Sequence, residues 1–302
     1  MRGKNTLRFA RNNFVSKFRS GQKVALVSSD KYRGKVSDDL FLQRTLIKAG
    51  AKAEIISWQN KSIDYRKYDK IVITSMWGYQ NHLDEFYDWI KKVESSKTPV
   101  FNPIDVILDN CDKEKQLGIL DKNGIPYVKT EVVTRKDLAK ASDFPFVLKP
   151  VISASGQGVK LINNSVDLAH ATEYYEQKFP DRKLLKQEYR SEIKDGELSV
   201  ILIKGEIMNL VRRFPGVIEG KGNRVVAVKF DELDDSLAEL AHKVASLKEY
   251  KDTLYLRVDT VKVGASYLIM EVEAFEPQLF YYLLDGNERQ KMLEKMVRGI
   301  LE

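Results

Sequence analysis

The chain has 302 residues, 43% of them hydrophobic and 31% charged, with a formal net charge of +7 and one cysteine, Cys111. That length allows two or three domains with cores of their own, and no run reaches the ~18 uncharged apolar residues of a membrane span. An internal disulfide framework is excluded, His82, His170 and His242 are too scattered for a zinc site, and the lone cysteine points to a reducing, cytoplasmic compartment.

Residues 1–20 carry Arg2, Lys4, Arg8, Arg11, Lys17 and Arg19 without an acid, and so hold most of the charge excess. With no apolar core this is not a secretory signal. We expect a basic arm peripheral to the chemistry. From Lys23 the pattern becomes regular. KVALVSS, AEIISW and KIVITSMW read as strands; SDDLFLQRTLIKAG and HLDEFYDWIKKV read as helices, the second with Leu83, Phe86, Tyr87, Ile90 and Val93 on one stripe. Alternating strands and helices imply a parallel sheet, so residues 21–108 are expected to form a small α/β domain. Ligands of such sheets bind beyond the carboxyl ends of the strands, at Ser28 to Arg33 and Thr74 to Tyr79 here. No GxGxxG motif is present, which argues against a dinucleotide.

Asn102-Pro103 breaks the pattern, and a new unit is expected over 109–185. It opens with the helix DKEKQLGILDKNG, which carries Lys113. FPFVLKPV then reads as an apolar strand interrupted by Lys149, a lysine that must meet an anion or reach water. The loop after it places Ser153, Ser155, Gly156 and Gly158 before the strand GVKLIN. Small residues let backbone N–H groups approach phosphate oxygens, although an ordinary hairpin tip has the same composition. It is not a Walker A loop, which needs Gly-Lys-Ser/Thr opening a helix.

The remainder, 186–302, holds the strand LLKQEYR, a hairpin turning at Lys204-Gly205, the strand VVAVKF, the helix DELDDSLAELAHKVASL and a terminal helix after Gly286. The first hairpin should bring Glu188, Glu197, Arg212 and Arg213 together. LYLRVDTV and SYLIMEVEAF form a second hairpin. A three-residue turn at Gly264, Ala265 and Ser266 sets Asp259 across from Glu271 and Arg257 across from Glu273, all on one face. Such a face is either a solvated set of cross-strand ion pairs or a site for Mg²⁺ bridging phosphates.

The order DKEKQL, KPVISASGQGV, Gln-Glu-Tyr, Gly-Glu-Leu-Ser, Arg-Phe-Pro and Arg-x-Asp…Glu-x-Glu resembles the ATP-grasp ligases. TSMWGYQNHLDEFYDWI, FNPIDVILDNCDK and MEVEAFEPQLF resemble the branch containing the cyclo-ligase of D-cycloserine biosynthesis. Glutathione synthetase and D-alanine–D-alanine ligase are more distant; they usually carry Asn where this chain has Glu273. The resemblance implies an α/β (α+β) ATP-grasp fold with an N-terminal Rossmann-like pre-ATP-grasp domain, a lid or central subdomain over 109–185 and a C-terminal subdomain over 186–302. By the same resemblance, Lys113 and Lys149 contact the α- and β-phosphates of ATP, with Lys115 a neighbour of Lys113. The loop Ser153 to Gly158 covers the triphosphate, and Lys186, Gln187, Glu188 and Tyr189 form the adenine hinge, with Glu197 near the ribose. Asp259, Glu271 and Glu273 hold two Mg²⁺ ions, with Mn²⁺ an alternative, while Lys149, Arg257 and Arg213 act on the transferred phosphoryl group or substrate. The implied activity is ligation of a small carboxylate to an amine, or to a thiol, with amino-acid or peptide-like substrates, through an acyl phosphate. Cyclisation and phosphotransfer on the same fold are alternatives. The substrates would be read by the N-terminal domain and by loops such as Gly216 to Arg224. Nucleic-acid binding is the distant alternative, since the basic residues are not interleaved with stacking aromatics.

Overall fold

The computed structural model describes residues 18–216 and 223–302, so most of the basic arm and the tip of the loop between Gly216 and Arg224 lie outside the described residues. The chain divides into two compact units, each assembled from separated stretches of sequence.

The first unit takes the described residues up to Ile104, Asp252–Tyr255 and Glu276–Glu302. Its sheet has the order β2-β1-β3-β4, with β1 Lys23–Ser28, β2 Lys52–Ser57, β3 Lys70–Ile73 and β4 Val100–Phe101, all parallel. Val24 to Val27 are fully buried, as expected of a central parallel strand covered on both faces. Helices α1 (Ser37–Lys48) and α2 (Leu83–Ser96) connect the strands. On α2 the buried stripe is Phe86, Trp89, Ile90 and Val93. Tyr87, expected on that stripe, is exposed. Trp89 is buried instead and donates its indole N–H to the Tyr65 hydroxyl at 2.7 Å, which removes the cost of burying that donor.

The second unit comprises the described residues of Asp105–Lys251 and Leu256–Phe275. Helices α3 (Ile104–Asn110) and α4 (Lys113–Lys122) lead in, and Asp112 caps α4 by accepting from the backbone N–H groups of Glu114 and Lys115. A four-stranded antiparallel sheet follows in the order β5-β8-β6-β7, from β5 Thr130–Val133, β6 Phe146–Pro150, β7 Lys160–Ile162 and β8 Leu184–Glu188. Helix α5 (Ser165–Lys178) packs on it through Leu168, Ala171 and Tyr175. The second sheet runs β11-β10-β9-β12-β13, with β9 Glu197–Ile203, β10 Glu206–Phe214, β11 Arg224–Ala227, β12 Tyr255–Val263 and β13 Ser266–Glu273. Helix α6 (Asp235–Ala245) buries Leu237, Leu240, Ala241 and Val244 against its core face.

The final hairpin reaches the expected pairing by a different route. Val263 pairs with Ser266, so the turn has two residues, Gly264 and Ala265. Continued strictly, that register would oppose Glu271 to Val258 and turn both glutamates toward the core, because a one-residue slip exchanges the faces. A β-bulge at Met270 absorbs one residue. Beyond it Asp259 faces Glu271 and Arg257 faces Glu273.

After Phe275 the chain returns to the first unit. Asp38, in the first turn of α1, accepts from the backbone N–H groups of Leu279 at 3.1 Å and Phe280 at 2.8 Å. Helix α7 (Gly286–Leu301), capped by Asp285, packs against α1. No helix among the described residues is long and apolar enough to cross a membrane.

Candidate active site

Within the second unit the two sheets and α4 bring eight charged side chains together. Arg257 is a fork on Asp259, Nε to Oδ1 and Nη2 to Oδ2 both at 2.9 Å, and it also ion-pairs with Glu273. Arg213 reaches in from β10 to bond Asp259 and lies 3.7 Å from Glu197. Lys113, the first residue of α4, lies 3.0 Å from Glu271 and donates to the carbonyl of Ser153 at 2.7 Å. Lys149, half-buried on β6, donates to the Gln187 side chain at 3.3 Å, and Gln187 in turn donates to Thr130 at 3.0 Å.

Four cations therefore meet four carboxylates in a largely water-excluded place. The consequences for protonation follow from burial and neighbours. Burial opposes ionisation of Asp259, but Arg213 and Arg257 outweigh it and hold that carboxyl well below the usual range. For Glu271 burial is likewise offset, by Lys113 and Lys149, and its pKa is lowered. Glu273 goes the other way: burial, reinforced by the charges of Asp259 and Glu271, exceeds the help from Arg257. Burial also raises Glu197, to about 7, against the pull of Arg213. Lys149 is lowered by burial and by Lys113, with Glu271 and Glu197 opposing.

Among the described residues no group of three or more His, Cys, Asp or Glu side chains stands as a ready-made metal cage. Asp259, Glu271 and Glu273 each have a cation on at least one oxygen. The donor set nonetheless suits Mg²⁺: three hard carboxylates lie on one strand pair. With all four carboxylates ionised, the cluster is balanced in charge. An anionic triphosphate entering it would have to bring cations of its own.

The loop after β6 separates its two glycines. A Cβ on Gly158 would sit 2.9 Å from Cγ and Cδ of Pro150 and 3.1 Å from the Phe179 ring, so that glycine is required by packing. Gly156, with φ +71°, has nothing within 4 Å, and with exposed Ser155 it leaves backbone open to a ligand. Ser153 is buried and donates to the Pro150 carbonyl.

The other expected positions divide. Lys115 ion-pairs with Asp109 at 3.0 Å and leaves the cluster to Lys113. Gln187 turns its side chain inward onto Lys149, whereas Glu188 is exposed and paired with Arg190 at 2.9 Å, and Tyr189 is half-buried just past the strand end. Lys186 is tied to Asp143 at 2.7 Å. Arg213 and Glu197 meet, but Arg212, pointing to the other face of β10, donates to the Asp195 carbonyl instead. Glu188 and Arg212 therefore stand outside the ion cluster.

Two residues escaped the sequence reading altogether. β13 is the edge strand of its sheet, and Val272, between the two glutamates, presents unpaired backbone groups there. Gln116 meets both, accepting from the Val272 N–H at 2.9 Å and donating to its carbonyl at 2.6 Å. Asn110 donates to the same carbonyl at 2.7 Å and accepts from Ala274 and Phe275. This amide clamp fixes the backbone from which Glu271 and Glu273 project. Its only sequence signal was the pair of amides flanking Lys113.

Comparison with known proteins now bears on this geometry. The model of the family "Prokaryotic glutathione synthetase, ATP-grasp domain" matches residues 127–278, and that of "D-cycloserine synthetase DcsG, N-terminal domain" matches residues 24–102. Coenzyme gamma-F420-2:alpha-L-glutamate ligase of Methanococcus maripaludis is 26% identical over 217 residues, spanning 67% of this chain and 73% of that one. Cycloserine biosynthesis protein DcsG of Streptomyces lavendulae is 23% identical over 250 residues, spanning 76% and 83%. The crystal structure of D-cycloserine synthetase DcsG superposes with a TM-score of 0.74 at 21% identity, covering 91% of this chain and 99% of that one, a likeness of fold.

Proposed function

The chain belongs to the ATP-grasp family, and from that premise we propose that it is an ATP-dependent ligase joining a small carboxylate to an amine, releasing ADP and phosphate. The observation that carries the proposal is the meeting of Lys113, Lys149, Arg213 and Arg257 with Asp259, Glu271 and Glu273 on one face of the second unit. A carboxylate oxygen of the substrate attacks the γ-phosphorus of ATP. The bond to the bridging oxygen breaks, that oxygen leaves with its electron pair on ADP, and an acyl phosphate results. The amine then attacks the acyl carbon, phosphate departs, and the amine loses a proton.

No side-chain nucleophile is needed, so the residues act by position and charge. Lys149, oriented by Gln187, and Lys113, anchored on the Ser153 carbonyl, are suited to the α- and β-phosphates. The loop around Gly156 offers backbone donors. Arg213 and Arg257 are suited to the γ-phosphoryl group as charge moves to the leaving oxygen. The strand end at Glu188 and Tyr189 is suited to adenine, and Glu197 to the ribose. When bound, two Mg²⁺ ions on Asp259, Glu271 and Glu273 would neutralise the triphosphate.

The N-terminal match favours one second reading, ring closure with carboxylate and amine in a single molecule. The test is a screen for ADP release across small carboxylates paired with amines, with product masses. A product lighter by one water than the combined substrates supports ligation. A product lighter by one water than a single substrate supports ring closure. A product heavier by a phosphoryl group, or no ADP release with any pair, counts against both.

A further inference from the structure

The first unit contains a cavity that the nucleotide site does not use. It is lined at one end by Asp38, Asp39, Ser75 and Tyr281, with Thr74 and Gln278 as further polar side chains, and otherwise mainly by apolar ones such as Ile73 and Leu42. Asp38 and Asp39 are 7% and 3% exposed, and among the described residues neither is in an ion pair. Buried carboxylates without a cation cost free energy, and helix α1 does not explain them, because exposed acids would complement its N-terminus equally well.

Their hydrogen bonds are incomplete in a patterned way. Oδ2 of Asp38 accepts from Leu279 and Phe280, whereas Oδ1 is buried with no partner. Asp39 accepts from the Ser75 hydroxyl, itself 2.7 Å from the Ser28 hydroxyl. The Tyr281 hydroxyl is also buried and without a partner. Burial pushes Asp38 up to about 6, and burial with the Asp38 charge pushes Asp39 up to about 7. Burial first, then the charge of Asp38, raises Tyr281 far above its ordinary value. One end of the cavity thus gathers two buried carboxylates with no positive charge beside them.

We propose that this cavity binds a primary ammonium group on a compact apolar body, with the three N–H donors directed to Asp38 Oδ1, Asp39 and the Tyr281 oxygen. A metal ion fits less well, because one oxygen of each aspartate is already bonded to an N–H or O–H donor. The lining holds no Lys, Arg or His to meet a carboxylate. The occupant is therefore an amine at the end of a chain, not an α-amino acid whose carboxylate lies beside the ammonium. Regarding that amine as a substrate rests on the ligase reading; the binding itself does not.

The test is calorimetric titration of the full chain, without ATP, using n-propylammonium, 1-propanol and alanine as probes. The inference requires n-propylammonium to bind at least about tenfold more tightly than the other two, and Asp39→Asn and Tyr281→Phe each to weaken it. Asp38→Asn retains an oxygen for Leu279 and Phe280 and should weaken it about tenfold. Equal affinity for 1-propanol, tighter binding of alanine, or undiminished binding in Tyr281→Phe and Asp39→Asn would overturn the proposal. So would a crystal grown with the amine that shows only water at Asp38 Oδ1. MgATP affinity measured on the same proteins reports on the second unit separately: if it is absent while the amine binds, the ligase reading fails and this one stands.

Discussion

Replacing Gln116 by alanine tests how the carboxylate face is held. The side chain is 4% exposed and makes two hydrogen bonds to Val272, and the change leaves the Val272 N–H without its partner at a sheet edge. Asn110 still serves the carbonyl. An orphaned buried backbone group costs about 1–3 kcal/mol, and in a chain somewhat larger than a 150–250-residue domain each kcal/mol lowers Tm by about 2–4 °C, so a fall of about 2–12 °C is expected. Because Glu271 and Glu273 flank Val272, MgATP affinity should fall as well, whereas Gln290→Ala, at an exposed position of α7, should change neither. Differential scanning calorimetry and nucleotide titration measure both. A Gln116→Ala protein with wild-type Tm and MgATP affinity would refute the clamp.

Asp38 and Asp39 have folded pKa values near 6 and 7 against 3.8 in the open chain, so the folded state holds their protons more tightly. Their contribution to stability is complete below about pH 4 and is lost as pH rises through 6 to 7, a linkage on the order of 4 kcal/mol for Asp39. Tm between pH 5 and 8 should therefore fall less steeply in Asp39→Asn than in the wild type; matching slopes contradict the assignment. Gly158→Ala should lower Tm clearly more than Gly156→Ala, since only the first puts a methyl group against Pro150 and Phe179. Lys149→Ala should weaken ATP binding by about tenfold or more, and unchanged calorimetric affinity would remove that lysine from the phosphate site.

Periodicity exposed the parallel sheet because Val24 to Val27 form a continuous apolar run, and the charged hairpin because Arg257, Asp259, Glu271 and Glu273 recur at even spacing. The turn length was not readable. Gly264-Ala265-Ser266 is compatible with two or three turn residues, and the bulge at Met270 compensates for the difference without any glycine to mark it. The amides of Asn110 and Gln116 were hidden because their partners are backbone groups more than 150 residues away, and one sequence carries no trace of such pairings. The same reason conceals the return of Glu276–Glu302 to the first unit, which depends on Asp38 accepting from Leu279 and Phe280. Glu188 and Arg212 were placed by nearness in sequence, but alternation along β10 sends Arg212 away from Arg213, and Arg190 holds Glu188 at the surface.

The account turns on a cluster whose four cations are already matched by four carboxylates. Without a divalent ion, ATP would confront Asp259, Glu271 and Glu273 with no added positive charge. Titration of the protein with ATP in EDTA and again with excess Mg²⁺ tests this most directly. The account predicts binding at least about tenfold tighter with Mg²⁺, and loss of most of that gain in Glu271→Gln. Equal affinity in the two conditions, or a full Mg²⁺ effect in Glu271→Gln, would contradict it.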